Sequence, residues 1–243
     1  MGALISAHRG GVGHDAERQN TLAAFEQAIE LGSDFVEFDV RMTSDGRAVV
    51  CHDARLVDAD GPWIVAERTF ADATAMGLHD LEDVLTLIAG RVGAHVDLKV
   101  PVREVEVTAR IVEALGTDAV VVTTAEDESI PRLRAWARAH APDLLLGLST
   151  AARELDGQRL PRWVALACSW FPRTRMRRSG VDVVVARHTL ARWWLRGWAR
   201  RRGLLLLVWT VDSDRHLHRW VNDPDTWLVT TNHPERALAL RRD

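Results

Sequence analysis

Short runs of β-branched and aliphatic residues alternate along this chain with longer amphipathic segments, and this alternation restricts the fold more than any other feature. The pattern is typical of βα units that build a parallel sheet. Nine strands are predicted, at Ala3–His8, Asp34–Val40, Arg47–His52, Ala94–Lys99, Ala119–Thr123, Leu144–Leu148, Val181–Ala186, Leu204–Val211 and Thr226–Thr231.

One of these strands does not belong to the parallel set. Only six residues join the second strand to the third, and they include the hairpin signal Asp45-Gly46. A parallel crossover needs about a dozen residues, so the third strand must pair antiparallel. Eight parallel strands remain, which is the number that closes a (β/α)8 TIM barrel. We therefore expect a single α/β barrel domain over residues 1–243, with a small insertion at about 54–79 over the C-terminal mouth.

Helices are predicted in most of the gaps between the strands. Asn20-Thr21 marks the start of the first helix and Gly32 its end. Similar amphipathic patterns predict helices at Leu81–Ile88, Arg103–Leu115, Glu126–His140, Leu190–Arg202 and Asp214–Val221.

Composition excludes several classes of protein. The net charge of −3 argues against a general nucleic-acid binder, which normally has a basic excess. No apolar run approaches the ~20 residues that cross a bilayer. Only two cysteines are present, and the first residues have no pattern typical of a secretory leader, so we expect a cytoplasmic location. Of 31 basic residues only Lys99 is a lysine, which draws attention to that position.

Charged residues lie two apart on two strands that follow one another in the parallel set. Glu37 and Asp39 share one face of the second strand, and Asp97 and Lys99 share one face of a later strand. Both pairs stand near strand ends, where barrels of this kind place their active sites. Buried like charges require a neutralising cation, and oxygen ligands favour Mg²⁺ or Ca²⁺. Lys99 can bind a phosphoryl oxygen, so this group of residues predicts phosphoryl chemistry.

Two histidines, His8 and His52, each end a predicted strand. Two imidazoles beside a phosphodiester can act as general base and general acid at neutral pH. A single histidine at a strand end is more often structural, but its combination with the carboxylates favours catalysis.

Several motifs, taken together and in order, resemble one known family. These motifs are His8-Arg9-Gly10, Gln19 to Phe25, Gly32 to Val40, Thr43 to Gly46, Val50 to Asp53, Trp209 to Val211 and Thr230 to Pro234. They look like glycerophosphodiester phosphodiesterases, members of the PLC-like phosphodiesterase superfamily of TIM barrels. The resemblance covers most of the chain and is densest in residues 6–56.

The resemblance implies a metal-dependent hydrolase that releases an alcohol and sn-glycerol 3-phosphate. By position, His8 and His52 match the catalytic pair. The residues that match metal ligands are Glu37, Asp39 and Asp97, and those that match substrate contacts are Arg9, Lys99 and Trp209. The lone lysine thus coincides with the functional lysine that the resemblance implies.

Some residues depart from the family pattern. Gln19 replaces a usual Glu, Asp97 a usual Glu of bacterial members, Thr123-Thr124-Ala125 a usual Ser-Phe, and Asn232 a usual Asp. A related venom phospholipase D branch also has Asp at the position of Asp97. These departures affect the expected substrate more than the expected chemistry.

Three alternatives stay open at this point. The first is lysophospholipase D-type activity on lipid phosphodiesters. The second is a barrel that binds phospho-ligands without turnover, and the third is a metallohydrolase that acts on amides or esters.

Residues 192–202 combine Trp with Arg, as membrane-surface helices do. An outer barrel helix that buries Leu190, Trp194 and Trp198 is nevertheless the stronger interpretation. The segment Arg173 to Arg178 is predicted to be a solvated basic loop.

Overall fold

A computed structural model describes residues 2–58, 61–150, 154–155, 158–159 and 172–242. Eight parallel strands close into a barrel in the order β1-β2-β7-β8-β9-β12-β13-β14, and β14 pairs back with β1. These strands are β1 (Leu4–His8), β2 (Phe35–Met42), β7 (Gly93–Leu98), β8 (Val120–Thr124), β9 (Leu145–Ser149), β12 (Val183–Arg187), β13 (Leu205–Trp209) and β14 (Leu228–Thr231). Between β9 and β12 in the chain, β10 (Glu154–Leu155) pairs antiparallel with β11 (Gln158–Arg159).

Helices follow the barrel strands and cover the outside of the barrel. They are α1 (Leu22–Glu30), α3 (Leu81–Ile88), α4 (Glu104–Leu115), α5 (Ser129–His140), α6 (Pro172–Ser179), α7 (His188–Leu190), α8 (Arg196–Arg201), α9 (Asp214–Val221) and α10 (Pro234–Leu240). A π-helical segment (Ala191–Leu195) joins α7 to α8. The Thr21 hydroxyl accepts a hydrogen bond from the backbone N–H of Ala24, which confirms the predicted start of α1. The fold is a (β/α)8 TIM barrel, as predicted.

The predicted hairpin is also present. β3 (Ala48–Val50) pairs antiparallel with β2, and β6 (His79–Asp80) adds to its other edge. Residues 54–79 include β4 (Arg55–Asp58), β5 (Gly61–Ile64), a short 3-10 helix (Val65–Glu67) and α2 (Phe70–Ala75). This insertion packs against β3, because Trp63, Val65 and Ala73 form one buried cluster with Val49 and Cys51.

The strands have two different faces. Outward residues such as Val36, Phe38 and Val96 join the main core between the barrel and its helices. Inward residues near the N-terminal end of the barrel, such as Phe35, Val121 and Leu207, form a separate apolar cluster. Apolar side chains therefore fill the N-terminal part of the barrel interior, and the polar side chains that could form a site lie toward its C-terminal end.

Two predictions about the second half of the chain are wrong. The segment Arg173 to Arg178 lies within α6 and is not a loop. Trp194, expected on the buried stripe, is 60% exposed, whereas its neighbour Leu195 is fully buried. The π-helical segment explains the second error, because its wider turn shifts each following residue around the helix axis. No described helix is long and apolar enough to cross a membrane.

Candidate active site

Strand register brings the predicted acidic residues together. His8 lies beside Glu37 in the pairing of β1 with β2, and Asp39 lies beside Asp97 in the pairing of β2 with β7. One carboxylate oxygen from each of Glu37, Asp39 and Asp97 lies within 4.8 Å of the others. Glu37 and Asp39 are buried. Alternation along two neighbouring strands therefore produces one cluster of three acids.

Two basic side chains partly neutralise this cluster. Lys99 Nζ lies 2.9 Å from Asp97 Oδ2 and 3.2 Å from Asp39 Oδ1. Arg9 Nε lies 3.2 Å from Asp39 Oδ2, and the Arg9 backbone N–H donates to Glu37 Oε2 at 2.9 Å. When all three carboxylates are ionised, they face two positive side chains, which leaves one excess negative charge.

The pKa values of the acids follow from this balance. Burial, assisted by the Asp39 charge, raises the pKa of Glu37 well above its ordinary value of 4.5. Burial also acts to raise the pKa of Asp39, but the charges of Lys99, His52 and Arg9 outweigh it, and the net pKa is lowered. Without a cation, Glu37 is therefore the carboxyl that tends to keep a proton.

The two histidines both interact electrostatically with Asp39. Its negative charge acts to raise the pKa of His8 and of His52. Burial has the larger effect in each case, and the pKa of His8 is lowered to about 4 while that of His52 is lowered from 6.5. Both rings are therefore largely neutral near pH 7 and able to accept a proton.

Each ring is held by a different partner. His8 Nδ1 lies 2.7 Å from the Asn232 side-chain oxygen, and His52 Nδ1 lies 2.8 Å from an Asp53 carboxylate oxygen. The Arg41 guanidinium donates two hydrogen bonds to the His52 backbone carbonyl, which fixes the loop after β3. Both partners leave the Nε2 atom of the ring available for other groups.

Asp97, the third acid of the cluster, contacts a layer of buried polar side chains inside the barrel. The Thr123 hydroxyl lies 3.2 Å from Asp97 Oδ1 and 3.3 Å from His95 Nε2. Ser6 Oγ lies 3.2 Å from the other ring nitrogen of His95. His95 is buried, and burial lowers its pKa to about 4. This neutral layer orients Asp97 from below.

The remaining predicted residue, Trp209, ends β13 beside Arg187 of β12. Its indole N–H is buried and has no hydrogen-bond partner among the described residues. The tryptophan stands at the same end of the barrel as the acids, and its contact with a substrate stays a prediction.

Sequence reasoning did not assign a site role to Asn20. It was interpreted as part of a helix start, but its backbone is left-handed, with φ of 59°. Its side-chain N–H donates to Asp39 Oδ2 at 3.2 Å, while its side-chain oxygen is buried and has no partner within the described part of the chain. A buried unpartnered oxygen beside a carboxylate is a candidate ligand group. An asparagine immediately before the helix-capping Thr21 was the available signal.

The donor chemistry of the cluster fits a hard divalent cation. All three ligand groups are carboxylates, which Mg²⁺ and Ca²⁺ prefer. A cation would also oppose the rise in the Glu37 pKa that burial causes, since a positive charge favours the ionised carboxylate.

The glycerophosphoryl diester phosphodiesterase family model matches residues 8–236 of the chain. The chain is 41% identical to the YqiK protein of Bacillus subtilis over 100 residues, which are 41% of this chain and 37% of that protein. It is 46% identical to human lysophospholipase D GDPD1 over 55 residues, which are 23% of this chain and 17% of that protein. These matches thus span well under half the length of the two relatives.

A solved structure extends the likeness in fold to nearly the whole chain. It is that of a phosphodiesterase from Oleispira antarctica in complex with the product sn-glycerol-3-phosphate. The TM-score is 0.68 at 18% identity, and the match covers 98% of this chain and 96% of that one. At this identity the comparison supports the barrel fold alone.

Proposed function

The chain belongs to the glycerophosphoryl diester phosphodiesterase family, and from this premise we propose that it hydrolyses glycerophosphodiesters to an alcohol and sn-glycerol 3-phosphate. One observation carries the proposal. Three carboxylates converge within 4.8 Å, two positive side chains contact them, and two imidazoles interact with the central carboxylate. This combination suits a negatively charged substrate and proton transfer at neutral pH.

The proposed cofactor is one divalent cation, Mg²⁺ or Ca²⁺. Glu37, Asp39 and Asp97 would hold it. When bound, the cation supplies a Lewis acid that polarises a phosphoryl oxygen. A charge of +2 would convert the net −1 of the cluster to +1, which matches the single negative charge of a phosphodiester.

Arg9 and Lys99 are the proposed phosphate contacts. Ion pairs with the carboxylates hold both side chains at the cluster, so their charges are positioned before substrate arrives. Positive groups fixed in advance stabilise the charge that develops on the equatorial oxygens during the reaction.

His8 and His52 are the proposed acid–base pair, and their hydrogen-bond partners indicate which ring acts as the base and which as the acid. His8 contacts a neutral amide, so its unprotonated Nε2 is suited to accept the proton of the attacking hydroxyl. Burial lowers the pKa of His52, but the contact with the Asp53 carboxylate acts to raise it, so of the two rings His52 is the better suited to protonate the leaving alkoxide. The new P–O bond forms as the bond to the leaving oxygen breaks. The attacking hydroxyl belongs either to the substrate, which gives a cyclic phosphate that water then opens to sn-glycerol 3-phosphate, or to water in a single step.

Paired substrates test this assignment. Glycerophosphocholine has a poor alkoxide leaving group, whereas bis(p-nitrophenyl) phosphate releases a phenolate that needs little protonation. We expect His8→Ala to lower kcat by ~100-fold or more on both substrates, and His52→Ala to do so mainly on the first. His140→Ala is the matched control, because it removes a histidine ring that stacks on Trp136 at the C-terminal end of α5. Near-normal rates for both site variants would overturn the proposal.

The alternative of a binding barrel without turnover predicts no hydrolysis of either substrate at any cation concentration. Hydrolysis that stops with chelator and returns with Mg²⁺ or Ca²⁺ would exclude it. A metallohydrolase for amides or esters would instead cleave p-nitrophenyl acetate or an anilide and leave both phosphodiesters intact.

Lysophospholipase D-type activity is the second candidate function. It is favoured by an exposed patch within residues 192–202, where Trp193 is 73% and Trp194 60% exposed. The Arg192 guanidinium lies 4.8 Å from the Trp193 ring centre, so a positive charge accompanies the apolar surface. Exposed Trp beside Arg suits weak contact with an anionic membrane surface.

The patch can be tested separately from the chemistry. Trp193→Ala with Trp194→Ala should weaken binding to phosphatidylserine-containing vesicles and slow turnover of vesicle-borne lysophospholipid, while glycerophosphocholine turnover stays unchanged. Equal vesicle binding by wild type and variant would exclude membrane contact through this patch. A cytoplasmic location stays a prediction from composition.

A further inference from the structure

The catalytic candidate His8 is held by the opposite end of the chain. Closure of the barrel between β1 and β14 places Asn232, which follows β14, beside the His8 ring. The Asn232 side chain is buried, and its oxygen lies 2.7 Å from His8 Nδ1. If that oxygen faces the ring, His8 must hold its proton on Nδ1, because an amide oxygen can only accept a hydrogen bond.

A third residue determines which end of the amide faces His8. Asp212, which follows β13, lies behind Asn232. Asp212 Oδ2 accepts from the Asn232 side-chain NH₂ at 2.8 Å, and Asp212 Oδ1 accepts from the Asn232 backbone N–H at 2.9 Å. The Thr231 hydroxyl lies 3.3 Å from the same Oδ1. A carboxylate has no proton to donate, so the NH₂ group of Asn232 must face Asp212 and the oxygen must face His8.

We propose that Asp212 is a positioning residue that acts through Asn232 to fix the tautomer of His8. In this arrangement Nδ1 carries the proton and the Nε2 lone pair stays free. His8 Nε2 lies 4.0 Å from Glu37 Oε2, so the free lone pair is on the side of the carboxylate cluster. The catalytic consequence rests on the proposed function, in which this Nε2 accepts the proton of the nucleophile. The assignment of the tautomer is independent of the proposed function.

Substitution at position 212 makes a directional prediction. In Asp212→Asn the new amide must still accept from the backbone N–H of Asn232 with its oxygen, so its NH₂ group faces the Asn232 side chain. Asn232 then turns its oxygen toward that NH₂ and its own NH₂ toward His8. His8 Nδ1 becomes an acceptor, and the proton moves to Nε2. Adding Asn232→Asp restores an acceptor-only group beside His8, so the double variant should recover the original tautomer.

The tautomer is measurable in the free protein by two-bond ¹H–¹⁵N correlation spectra of the imidazole rings at pH 8, with His8→Asn to assign the signal. Wild type and the double variant should give the Nδ1–H pattern for His8, and Asp212→Asn the Nε2–H pattern. Asp214→Asn is the matched control, since this exposed carboxylate stands two residues further on and contacts Arg236. It should leave the pattern unchanged.

Kinetics supply the second measurement. Asp212→Asn should lower kcat on glycerophosphocholine by about 100-fold or more, because a His8 ring with its proton on Nε2 cannot act as the base, and KM should change less than about twofold. The double variant should recover most of the loss. A general loss of structure would lower the rate of both variants and move KM, so recovery separates positioning from folding.

The outcomes distinguish this inference from the proposed function. An unchanged His8 pattern in Asp212→Asn overturns the inference, even if His8→Ala is inactive. If the His8 tautomer changes in Asp212→Asn but kcat does not, the positioning role of Asp212 is supported and the assignment of His8 as the base is contradicted. If Asp212→Asn does not fold, Asn232→Ala serves instead. It removes the acceptor beside His8, and retention of a pure Nδ1–H pattern there would overturn the inference.

Discussion

Replacement of Glu37 by Gln tests the charge balance of the acidic cluster directly. Without a cation, the folded protein binds a proton at Glu37 more tightly than the unfolded chain does, because burial and the Asp39 charge raise its pKa above 4.5. The free energy of unfolding should therefore fall as the pH rises above about 4.5. Glu37→Gln places a neutral group of the same shape there, so this fall should disappear.

The size of the cation effect follows from mass action. A cation at 100 times its dissociation constant adds about 2.7 kcal/mol to the free energy of unfolding. For a chain of this length about 1 kcal/mol corresponds to roughly 2–4 °C, so Tm should rise by about 5–11 °C. If Glu37→Gln weakens binding ~100-fold, the gain is only about 0.4 kcal/mol, or roughly 1–2 °C.

Thermal unfolding at pH 8, with chelator and then with Mg²⁺ or Ca²⁺, measures both effects. With chelator, the variant should unfold at the same temperature as wild type or higher, because an excess buried charge has been removed. With the cation, only wild type should gain several degrees. Glu26→Gln, at an exposed ion pair with Arg91, is the control for loss of a carboxylate elsewhere. A full cation-induced shift in Glu37→Gln would refute the assignment of Glu37 as a ligand.

Three further predictions concern neighbouring groups. Lys99→Arg should lower kcat/KM by about 10-fold or more, even though every other basic residue of this chain is arginine. The planar guanidinium group cannot replace the compact ammonium group between two carboxylates. A Lys99→Arg variant with wild-type kinetics would contradict this. Thr123→Val removes the hydrogen bonds to Asp97 and His95, so titration calorimetry should show cation affinity reduced by about 10-fold; unchanged affinity would exclude an orienting role. The acidic limb of the kcat/KM–pH profile should lie below pH 6.5, since the lowered pKa of His8 keeps it unprotonated to about pH 4; a limb at or above 6.5 would exclude His8 as the base.

The barrel was predictable because its determinants are local. β-branched runs identify the strands, and the six residues between the second and third predicted strands exclude a parallel connection there. The predicted strand ends agree with the structure to within two residues in most cases. The insertion at about 54–79 was expected over the C-terminal mouth, but no elements were predicted within it. Its hairpin and helix α2 depend on packing against β3, which no local pattern describes.

The acidic cluster was predictable for a similar reason, since alternation places Glu37 and Asp39 on one face. The partners of the histidines were not. Asn232 reaches His8 across 224 residues of sequence, and only barrel closure brings them together. Trp194 was placed on the wrong side of its helix because a regular 3.6-residue period does not describe a π-helical turn.

The two amides that depart from the family pattern share one physical explanation. Gln19 accepts from the Arg9 guanidinium with its oxygen and donates to the Gly13 carbonyl with its NH₂. Asn232 accepts from the ring of His8 and donates to Asp212. Each amide stands between a donor and an acceptor, and an ionised carboxylate could satisfy only the donor. Asp212 thus supplies, one residue further from the imidazole, the negative charge that Asn232 lacks. The two amides therefore satisfy both of their neighbours, and they leave the site with less negative charge than carboxylates at the same two positions would.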